Sequence, residues 1–199
     1  MNEIIVLAPH PDDEIFALPY INHYKKINFD VTIFFLTSNF RRRNEAIKSC
    51  KFLKCKYLFA SDLGFFLKDG CLHSNFNKLK TLINIYTKNY QTILSPLLEG
   101  GHQDHDTTSL AAIIENCINK KQKFIYYPTY SSINKSYFYY VMSKNEYCKN
   151  TFFLIKKKYK QLPLKSLYLM FIVYKSQRFS WFLLLTPFLI TIFRNKYSS

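Results

Sequence analysis

Apolar runs alternate with helix-patterned segments over the first 130 residues, and this order predicts an α/β fold. The run from Ile4 to Ala8 is typical of a strand buried on both faces of a parallel sheet. It must end at Pro9 and Pro11, because proline cannot donate a ladder hydrogen bond. The alternation indicates a mainly parallel sheet joined by right-handed crossovers. The further strands are predicted over 31–36, 57–60, 92–98 and 124–127, and the helices over 15–26, 41–53, 76–89 and 107–118.

The last third of the chain has a weaker pattern. Residues 136–160 mix tyrosines with lysines without a firm period, whereas 164–174 and 181–193 are rich in apolar residues. Neither apolar run reaches the ~20 residues that a membrane-spanning helix needs. We favour two amphipathic helices packed on the sheet over a membrane-surface anchor, which would show a similar pattern. The chain is expected to form one domain over 1–199, with a core over about 1–130 and a C-terminal helical extension over about 131–199.

The charge of the chain changes the range of partners to consider. Its 28 Lys and Arg against 13 Asp and Glu give a formal charge of +15, which favours nucleic acid, anionic lipid head groups or phosphorylated sugars. A solvated lysine-rich surface explains the same charge and is the simpler interpretation. No nucleic-acid-binding motif and no glycine-rich phosphate loop is present, so nucleic acid is not an expected partner. Contact with an anionic membrane surface stays open.

The five cysteines favour a reducing compartment. Their number is odd and no Cys-x-x-Cys pair occurs, which argues against a disulfide framework and against a cysteine-based zinc knuckle. The residues before the first strand lack the basic and apolar regions of a signal peptide. We therefore expect a cytoplasmic protein, peripheral at a membrane if the C-terminal runs form a surface anchor.

Two clusters of metal-ligating side chains follow predicted strands. His10, Asp12, Asp13 and Glu14 come directly after the first strand, and residues 99–106 (Glu-Gly-Gly-His-Gln-Asp-His-Asp) come after the fourth. Because the carboxyl ends of parallel strands meet at one edge of the sheet, the two clusters can share a crevice. Crowded carboxylates and imidazoles repel one another or lose hydration unless a cation joins them. This mixture suits a divalent ion, zinc above all.

The same residue types fit a catalytic metal site better than a structural one. Two histidines and one carboxylate would leave a coordination position open for water, as in catalytic zinc sites. The metal would lower the pKa of that water, and a free neighbouring carboxylate could take its proton. Hydrolysis by a serine nucleophile is not expected, because no Gly-x-Ser-x-Gly motif is present.

Two motifs resemble those of the PIG-L/LmbE-like family of zinc-dependent N-deacetylases. They are His-Pro-Asp-Asp-Glu at residues 10–14, after an N-terminal hydrophobic strand, and Gly-His-Gln-Asp-His at residues 101–105. The resemblance runs from residue 4 to about 115. It implies a Rossmann-like three-layer sandwich with the active site at the C-terminal ends of the strands. Its weaker parts are Arg42, Glu45 and Ala46 in the second helix and Tyr174 to Gln177 near the C-terminus.

The resemblance implies a role for each candidate residue. Asp12 would be the general base that activates the zinc-bound water. His102 would stabilise the oxyanion of the tetrahedral intermediate and protonate the departing amine. Asp104 would hydrogen-bond a histidine and fix its charge and orientation. The implied zinc ligands are His10, Asp13 and His105.

Several other residues keep two interpretations. In the family an arginine near Arg42 contacts substrate, but an Arg42–Glu45 helix ion pair fits the sequence equally well. Asp69 could bind sugar hydroxyls, although a plain Asp-Gly turn is the favoured interpretation. Glu14 is expected to hold its loop rather than bind the metal. The stretch from Tyr126 to Tyr140 is expected to fill core or surface rather than to stack on sugars.

The function predicted from these motifs is removal of the acetyl group from an N-acetylated amino sugar. The substrate would be an N-acetylglucosamine-type conjugate, as in glycolipid or surface polysaccharide biosynthesis. Two alternatives stay open. The enzyme could hydrolyse a different N-acyl group, or the chain could be a non-enzymatic basic module that binds anionic lipid or another anion.

Overall fold

Five strands and the helices that connect and cover them are seen in the computed structural model, which describes residues 2–119, 121–129 and 164–183. The α/β class predicted from the sequence is confirmed, and each predicted strand is present within two residues of its expected bounds. The elements in chain order are β1 (Glu3–Ala8), α1 (Glu14–Lys26), β2 (Asp30–Phe35), α2 (Phe40–Leu53), β3 (Lys56–Phe59), α3 (Phe76–Thr87), β4 (Thr92–Pro96), α4 (Gln103–Ile118), β5 (Lys123–Tyr127) and α5 (Leu164–Tyr168).

The sheet is parallel throughout and has the strand order β3-β2-β1-β4-β5. Strand β1 lies at its centre, where Ile5 is in register with Thr32 of β2 and with Ile93 of β4. The order of the strands reverses between β1 and β4, so the loops after these two strands leave in opposite directions. Such a switch point opens a crevice at the carboxyl ends of the strands. Both predicted clusters of metal-ligating residues begin in these two loops and continue into the first turns of α1 and α4.

Alternating residues of the central strands build two separate cores. Ile4 and Val6 belong to a core shared with α1, α2 and the C-terminal helix, whereas Ile5 and Leu7 belong to a core shared with α3 and α4. All four side chains are fully buried. Helices therefore cover both faces of the sheet, which confirms the three-layer, Rossmann-like arrangement.

The C-terminal segment packs on the α1–α2 side of the sheet. Helix α5 continues into a π-helical turn at Leu169–Val173, followed by a 3₁₀ turn at Lys175–Gln177 and a helical stretch over 178–183. Leu169, Met170 and Trp181 are buried in the core on that side. The first apolar run is thus a helix packed on the fold, as expected. Among the described residues, no helix is both long and apolar enough to cross a membrane.

Three sequence predictions fall partly or wholly outside the described residues. They concern the irregular stretch 136–160, most of the second apolar run at 181–193 and most of the tyrosine-rich stretch from Tyr126 to Tyr140. Within the described part of that stretch, Tyr127 fills the core, as expected, and its hydroxyl donates to the Leu7 carbonyl over 2.6 Å.

Helix α4 begins at Gln103, four residues before the predicted start at Thr107. The predicted start was wrong because it followed apolar periodicity alone. The His102 side chain caps the helix by accepting a hydrogen bond from the Asp104 backbone N–H. Asp104 and Asp106 lie in the first turn, where negative charge stabilises a helix through its dipole. His105 is consequently fixed on a helix rather than carried by a loop.

Candidate active site

The loop after β1 folds back on itself and brings His10 and Asp13 together. The Asp13 Oδ2 atom accepts a hydrogen bond from the His10 backbone N–H over 2.7 Å and lies 3.1 Å from the His10 Nδ1 atom. The backbone N–H of Asp13 donates in turn to the His10 carbonyl over 3.2 Å. Both side chains are buried, with exposed fractions of 5% and 2%. The short loop therefore holds an imidazole and a carboxylate in contact at the floor of the crevice.

His105 approaches this pair from the first turn of α4. Its Nε2 atom lies 3.3 Å from His10 Nδ1 and 3.1 Å from Asp13 Oδ1. Tetrahedral zinc, with bonds of about 2.0–2.1 Å, separates its ligand atoms by about 3.3 Å. The His10–Asp13–His105 cluster thus offers a two-histidine, one-carboxylate donor set at the spacing that zinc requires. A neighbouring set, His10, His102 and His105, has its ligand atoms within 4.8 Å of one another.

The outward-facing nitrogens of both histidines meet oxygen atoms. His10 Nε2 lies 3.0 Å from Asp104 Oδ2 and 3.2 Å from Asp69 Oδ1, while His105 Nδ1 lies 2.9 Å from Thr129 Oγ1. Metal-binding imidazoles commonly donate their second N–H to such an oxygen, which fixes the tautomer. Here that arrangement directs the lone pairs of His10 Nδ1 and His105 Nε2 toward each other and toward Asp13. The residues present therefore fit a zinc ion.

The electrostatics of the cluster favour positive charge at its centre. Burial by itself lowers the pKa of His10, but the carboxylates of Asp13, Asp104 and Asp69 outweigh this effect and raise the pKa to about 12. Burial conversely raises the pKa of Asp13, yet the imidazoles of His105 and His10 hold it well below its ordinary value. The negative carboxylates that stabilise a protonated His10 would also stabilise a divalent metal ion at this position.

Asp12 forms an ion pair with Arg42. One of its oxygens lies 2.6 Å from Arg42 Nη2, and its backbone has a φ of 99°, a left-handed conformation that is uncommon for residues other than glycine. Burial raises the pKa of Asp12, with Arg42 opposing the shift. The exposed fraction of Asp12 is only 7%, yet it lines the same pocket as His10 and His105.

Arg42 and Asp69, both candidates for contact with substrate, lie together at the pocket. Arg42 Nη1 donates to Asp69 Oδ2 over 3.1 Å, so the guanidinium bridges Asp12 and Asp69. Of the two interpretations of Arg42, the ion pair with Glu45 is not formed, because Glu45 binds Ser176 instead. Asp69 is half exposed, which leaves it accessible from the pocket.

The Asp-Gly turn predicted at Asp69 is also present, and it supports the site. Gly70 has a φ of +77° and donates its backbone N–H to Asp104 Oδ2 over 2.6 Å, and the Leu72 N–H donates to Asp104 Oδ1 over 2.9 Å. Burial by itself would raise the pKa of Asp104, but His10 and these two bonds hold it below its ordinary value. The Asp104 carboxylate, which lies against His10 Nε2, is thus fixed by hydrogen bonds from the turn at Gly70 and from Leu72.

His102 lies at the pocket with its ring centroid 4.8 Å from that of His105. Its Nδ1 accepts from the Asp104 backbone N–H over 3.3 Å, which leaves the proton of the neutral ring on Nε2. Burial lowers the pKa of His102, and the neighbouring His105 and His10 lower it further. A neutral imidazole that carries its N–H donor on Nε2 therefore lines the substrate space.

Thr129 and Glu99 complete the surroundings of His105. Sequence reasoning included Glu99 in the second cluster without giving it a role, and it did not find Thr129. The Glu99 carboxylate accepts from the Thr129 backbone N–H at 3.2 Å and from its hydroxyl at 3.4 Å. Thr129 follows β5, the strand beside β4, so the rule that strand ends meet at one edge could have pointed to it. Burial raises the pKa of Glu99 to about 8.

Replacing Glu99 by glutamine is expected to remove one source of pH dependence in stability. A carboxyl group with a raised pKa binds more protons in the folded protein than in the unfolded chain. Its contribution to the free energy of unfolding is therefore complete at acidic pH and is lost as the pH rises toward 8. The free energy of unfolding of the wild type should fall more steeply than that of Glu99→Gln, by at most about 1.4 kcal/mol per pH unit. Urea unfolding across this range measures both slopes, and parallel slopes would contradict the prediction.

The pocket above these residues has a volume of about 170 Å³. Its lining includes His10, Asp12, Arg42 and Asp69. The C-terminal segment contributes Gln177, Ser180 and Trp181 to the same lining.

Comparison with known proteins identifies the family. Residues 5–114, more than half of the chain, match the model of the PIG-L family, described as GlcNAc-PI de-N-acetylase. The chain belongs to the PIG-L family. The resemblance predicted from the two motifs is confirmed, and the PIG-L chain is accordingly a metal-dependent deacetylase, an amide hydrolase. No curated protein matches the sequence significantly.

Several solved structures share the fold of this PIG-L chain. The conserved protein TT1542 from Thermus thermophilus is 18% identical with a TM-score of 0.53, and the match covers 69% of this chain and 70% of that one. The A40926 pseudoaglycone deacetylase Dbv21 is 17% identical with a TM-score of 0.53, over 64% of this chain and 63% of that one. The zinc-inhibited form of teicoplanin deacetylase Orf2 is 12% identical with a TM-score of 0.53, over 63% and 67%.

Proposed function

We propose that this enzyme removes the acetyl group from an N-acetylated amino sugar, an N-acetylglucosamine-type conjugate. The observation that carries the proposal is the spacing of the metal-ligating atoms of three residues. His10 Nδ1 and His105 Nε2 lie 3.3 Å apart, and each lies 3.1 Å from one oxygen of the Asp13 carboxylate. All three residues line a pocket that also contains Asp12 and His102. The match of the chain to the GlcNAc-PI de-N-acetylase family supports the substrate class.

The proposed metal is zinc, held by His10, Asp13 and His105. When bound, zinc would supply Lewis acidity, which polarises an amide carbonyl and lowers the pKa of a coordinated water. Asp104 and Thr129 fix the tautomers of the two histidines by accepting from their outer nitrogens. The chain thus prepares both imidazoles to act as neutral ligands.

Proton transfer in the proposed reaction is carried by residues around the pocket. Asp12 takes a proton from the attacking water, and Arg42 holds the Asp12 carboxylate through the 2.6 Å contact. His102 donates from Nε2 to the carbonyl oxygen as negative charge develops there, since its Nδ1 is already an acceptor. The proton that Asp12 took from the water can then pass to the departing amine, so that His102 keeps its own Nε2 proton.

The proposed substrate enters the pocket as a single sugar ring. A volume of about 170 Å³ lies below the ~300–1,000 Å³ typical of sites for larger ligands, so the remainder of a conjugate would lie outside. Arg42 and Asp69 are the proposed contacts for sugar hydroxyls. We propose a cytoplasmic location, and contact with an anionic membrane surface, such as one carrying a glycolipid substrate, stays a prediction.

The direct test is acetate release from N-acetylglucosamine derivatives by the purified protein. We expect release by the wild type, loss on chelation and recovery on addition of zinc. A protein that binds no divalent metal, or that hydrolyses none of these derivatives, would contradict the proposal. Identifying the carboxylic acid released decides between acetyl and another acyl group, such as formyl.

Replacing Thr129 by valine is expected to weaken zinc binding by about 10- to 100-fold, the usual effect of losing an outer hydrogen-bond partner of a ligand. Valine keeps the shape of threonine but cannot accept from His105 Nδ1, so the tautomer is no longer fixed. Competition with a chromophoric chelator measures the affinity. The matched control is Thr81→Val on the exposed side of α3, where the hydroxyl donates only to the Asn77 carbonyl. Equal zinc affinities of the two variants would rule out the role.

A further inference from the structure

The segment from Tyr174 to Gln177 is joined to the loop that carries Asp12. Tyr174 is fully buried, and its hydroxyl donates to Glu14 Oε1 over 2.5 Å. The other oxygen of Glu14 accepts from the Asp12 backbone N–H over 3.1 Å. Glu14 itself is fully buried and also accepts from Ser49 Oγ. The Tyr174 hydroxyl and the backbone N–H of Asp12, the proposed general base, therefore donate to the same carboxylate, that of Glu14.

Ser176 provides a second attachment, on helix α2. Its backbone N–H donates to Glu45 Oε1 over 2.9 Å, and its hydroxyl donates to Glu45 Oε2 over 2.5 Å. The two donors of one residue occupy both oxygens of the carboxylate, which fixes orientation as well as position. The 3₁₀ turn closes with a 3.0 Å bond from the Gln177 N–H to the Tyr174 carbonyl. The segment is thus held at two points, by one carboxylate from α1 and one from α2.

These two attachments place Gln177 in the wall of the pocket, together with Asp12, Arg42 and His102. The carboxamide of glutamine has both a donor and an acceptor, and a sugar hydroxyl also has both. Arg42 and Asp69, the contacts already proposed for sugar hydroxyls, are both charged and form an ion pair with each other. Gln177 therefore brings a neutral group suited to a neutral hydroxyl.

We propose that Gln177 binds a hydroxyl group of the sugar ring, and that Tyr174 and Ser176 are positioning residues that hold it at the pocket. The inference rests on the proposed function, because it takes the pocket to be an amino-sugar site. It gives a role to the weaker part of the family resemblance at the C-terminus. It also gives a role to Glu45 in the second helix, which does not line the pocket but binds Ser176.

The test measures binding of N-acetylglucosamine by calorimetry to zinc-loaded protein that carries Asp12→Asn, so that no turnover occurs. Adding Gln177→Ala should weaken binding about three- to tenfold, the effect of losing one hydrogen bond between neutral groups. Adding Ser176→Ala should weaken binding as well, while zinc affinity stays unchanged. The matched control is Lys175→Ala, an exposed residue in the same turn, which should bind like the parent.

Each outcome bears on the inference. If Gln177→Ala binds N-acetylglucosamine like Lys175→Ala, or if the parent protein does not bind it at all, the assignment of Gln177 is overturned. If Ser176→Ala lowers only the melting temperature, its positioning role is overturned. Binding that depends on Gln177 without acetate release by the wild type would uphold this inference and contradict the proposed function instead.

Discussion

Asp12→Asn is expected to lower kcat for acetate release by about 10²- to 10⁴-fold, the contribution of a general base. Asparagine has the shape of aspartate and can still accept from Arg42, so the φ of 99° and the contacts of the loop should persist. What disappears is the basic oxygen that takes the proton from water. Steady-state kinetics with a coupled acetate assay measure the change, and metal analysis should show unchanged zinc content.

The control for this prediction is Asp62→Asn. Asp62 pairs with Arg43 at 2.6 Å, so it reproduces an Asp–Arg pair from helix α2 at an exposed position outside the pocket. Its loss should change stability by no more than ~1 kcal/mol and leave kcat unchanged. Wild-type activity in Asp12→Asn would show that another group accepts the proton, and a parallel loss of zinc would show that Asp12 supports the metal instead.

Much of the fold could be predicted because the strands of this chain are short, apolar and clearly ended. The run from Ile4 to Ala8 must be buried on both faces, and the two prolines after it fix where the loop begins. Parallel strands then bring the loops after β1 and β4 together whatever their side chains are. For this reason His10 and His105 could be expected in one crevice although they lie 95 positions apart in the chain.

The parts that could not be predicted depend on side-chain contacts between distant segments. Thr129 is an ordinary residue after a short strand, and only its distance to His105 reveals a role. Tyr174 and Gln177 follow a helix whose apolar pattern says nothing about where it ends. Arg42 has carboxylates within reach on its own helix and in two loops, and periodicity cannot choose among them.

His105→Ala is expected to abolish stoichiometric zinc binding and to lower kcat by at least about 10³-fold. A zinc ion held by this cluster would contribute several kcal/mol to the stabilisation of the transition state, and each ~1.4 kcal/mol corresponds to a factor of ten in rate. The variant removes the ligand atom that lies 3.3 Å from His10 and 3.1 Å from Asp13, so only two donors of the His10–Asp13–His105 cluster stay in place. Zinc content after gel filtration and acetate release measure the two effects.

His102→Ala separates the two donor sets that the site offers. If the metal is held by His10, Asp13 and His105, this variant keeps its zinc and loses about 10²- to 10³-fold in kcat, as expected for removal of one oxyanion donor. If the metal is held by the three histidines instead, His102→Ala loses its zinc as His105→Ala does. An exposed histidine, His73, provides the control, because His73→Ala should keep both zinc and activity. The 3.1–3.3 Å distances within the His10–Asp13–His105 cluster favour the first result, since they match the separation of about 3.3 Å between the ligand atoms of tetrahedral zinc.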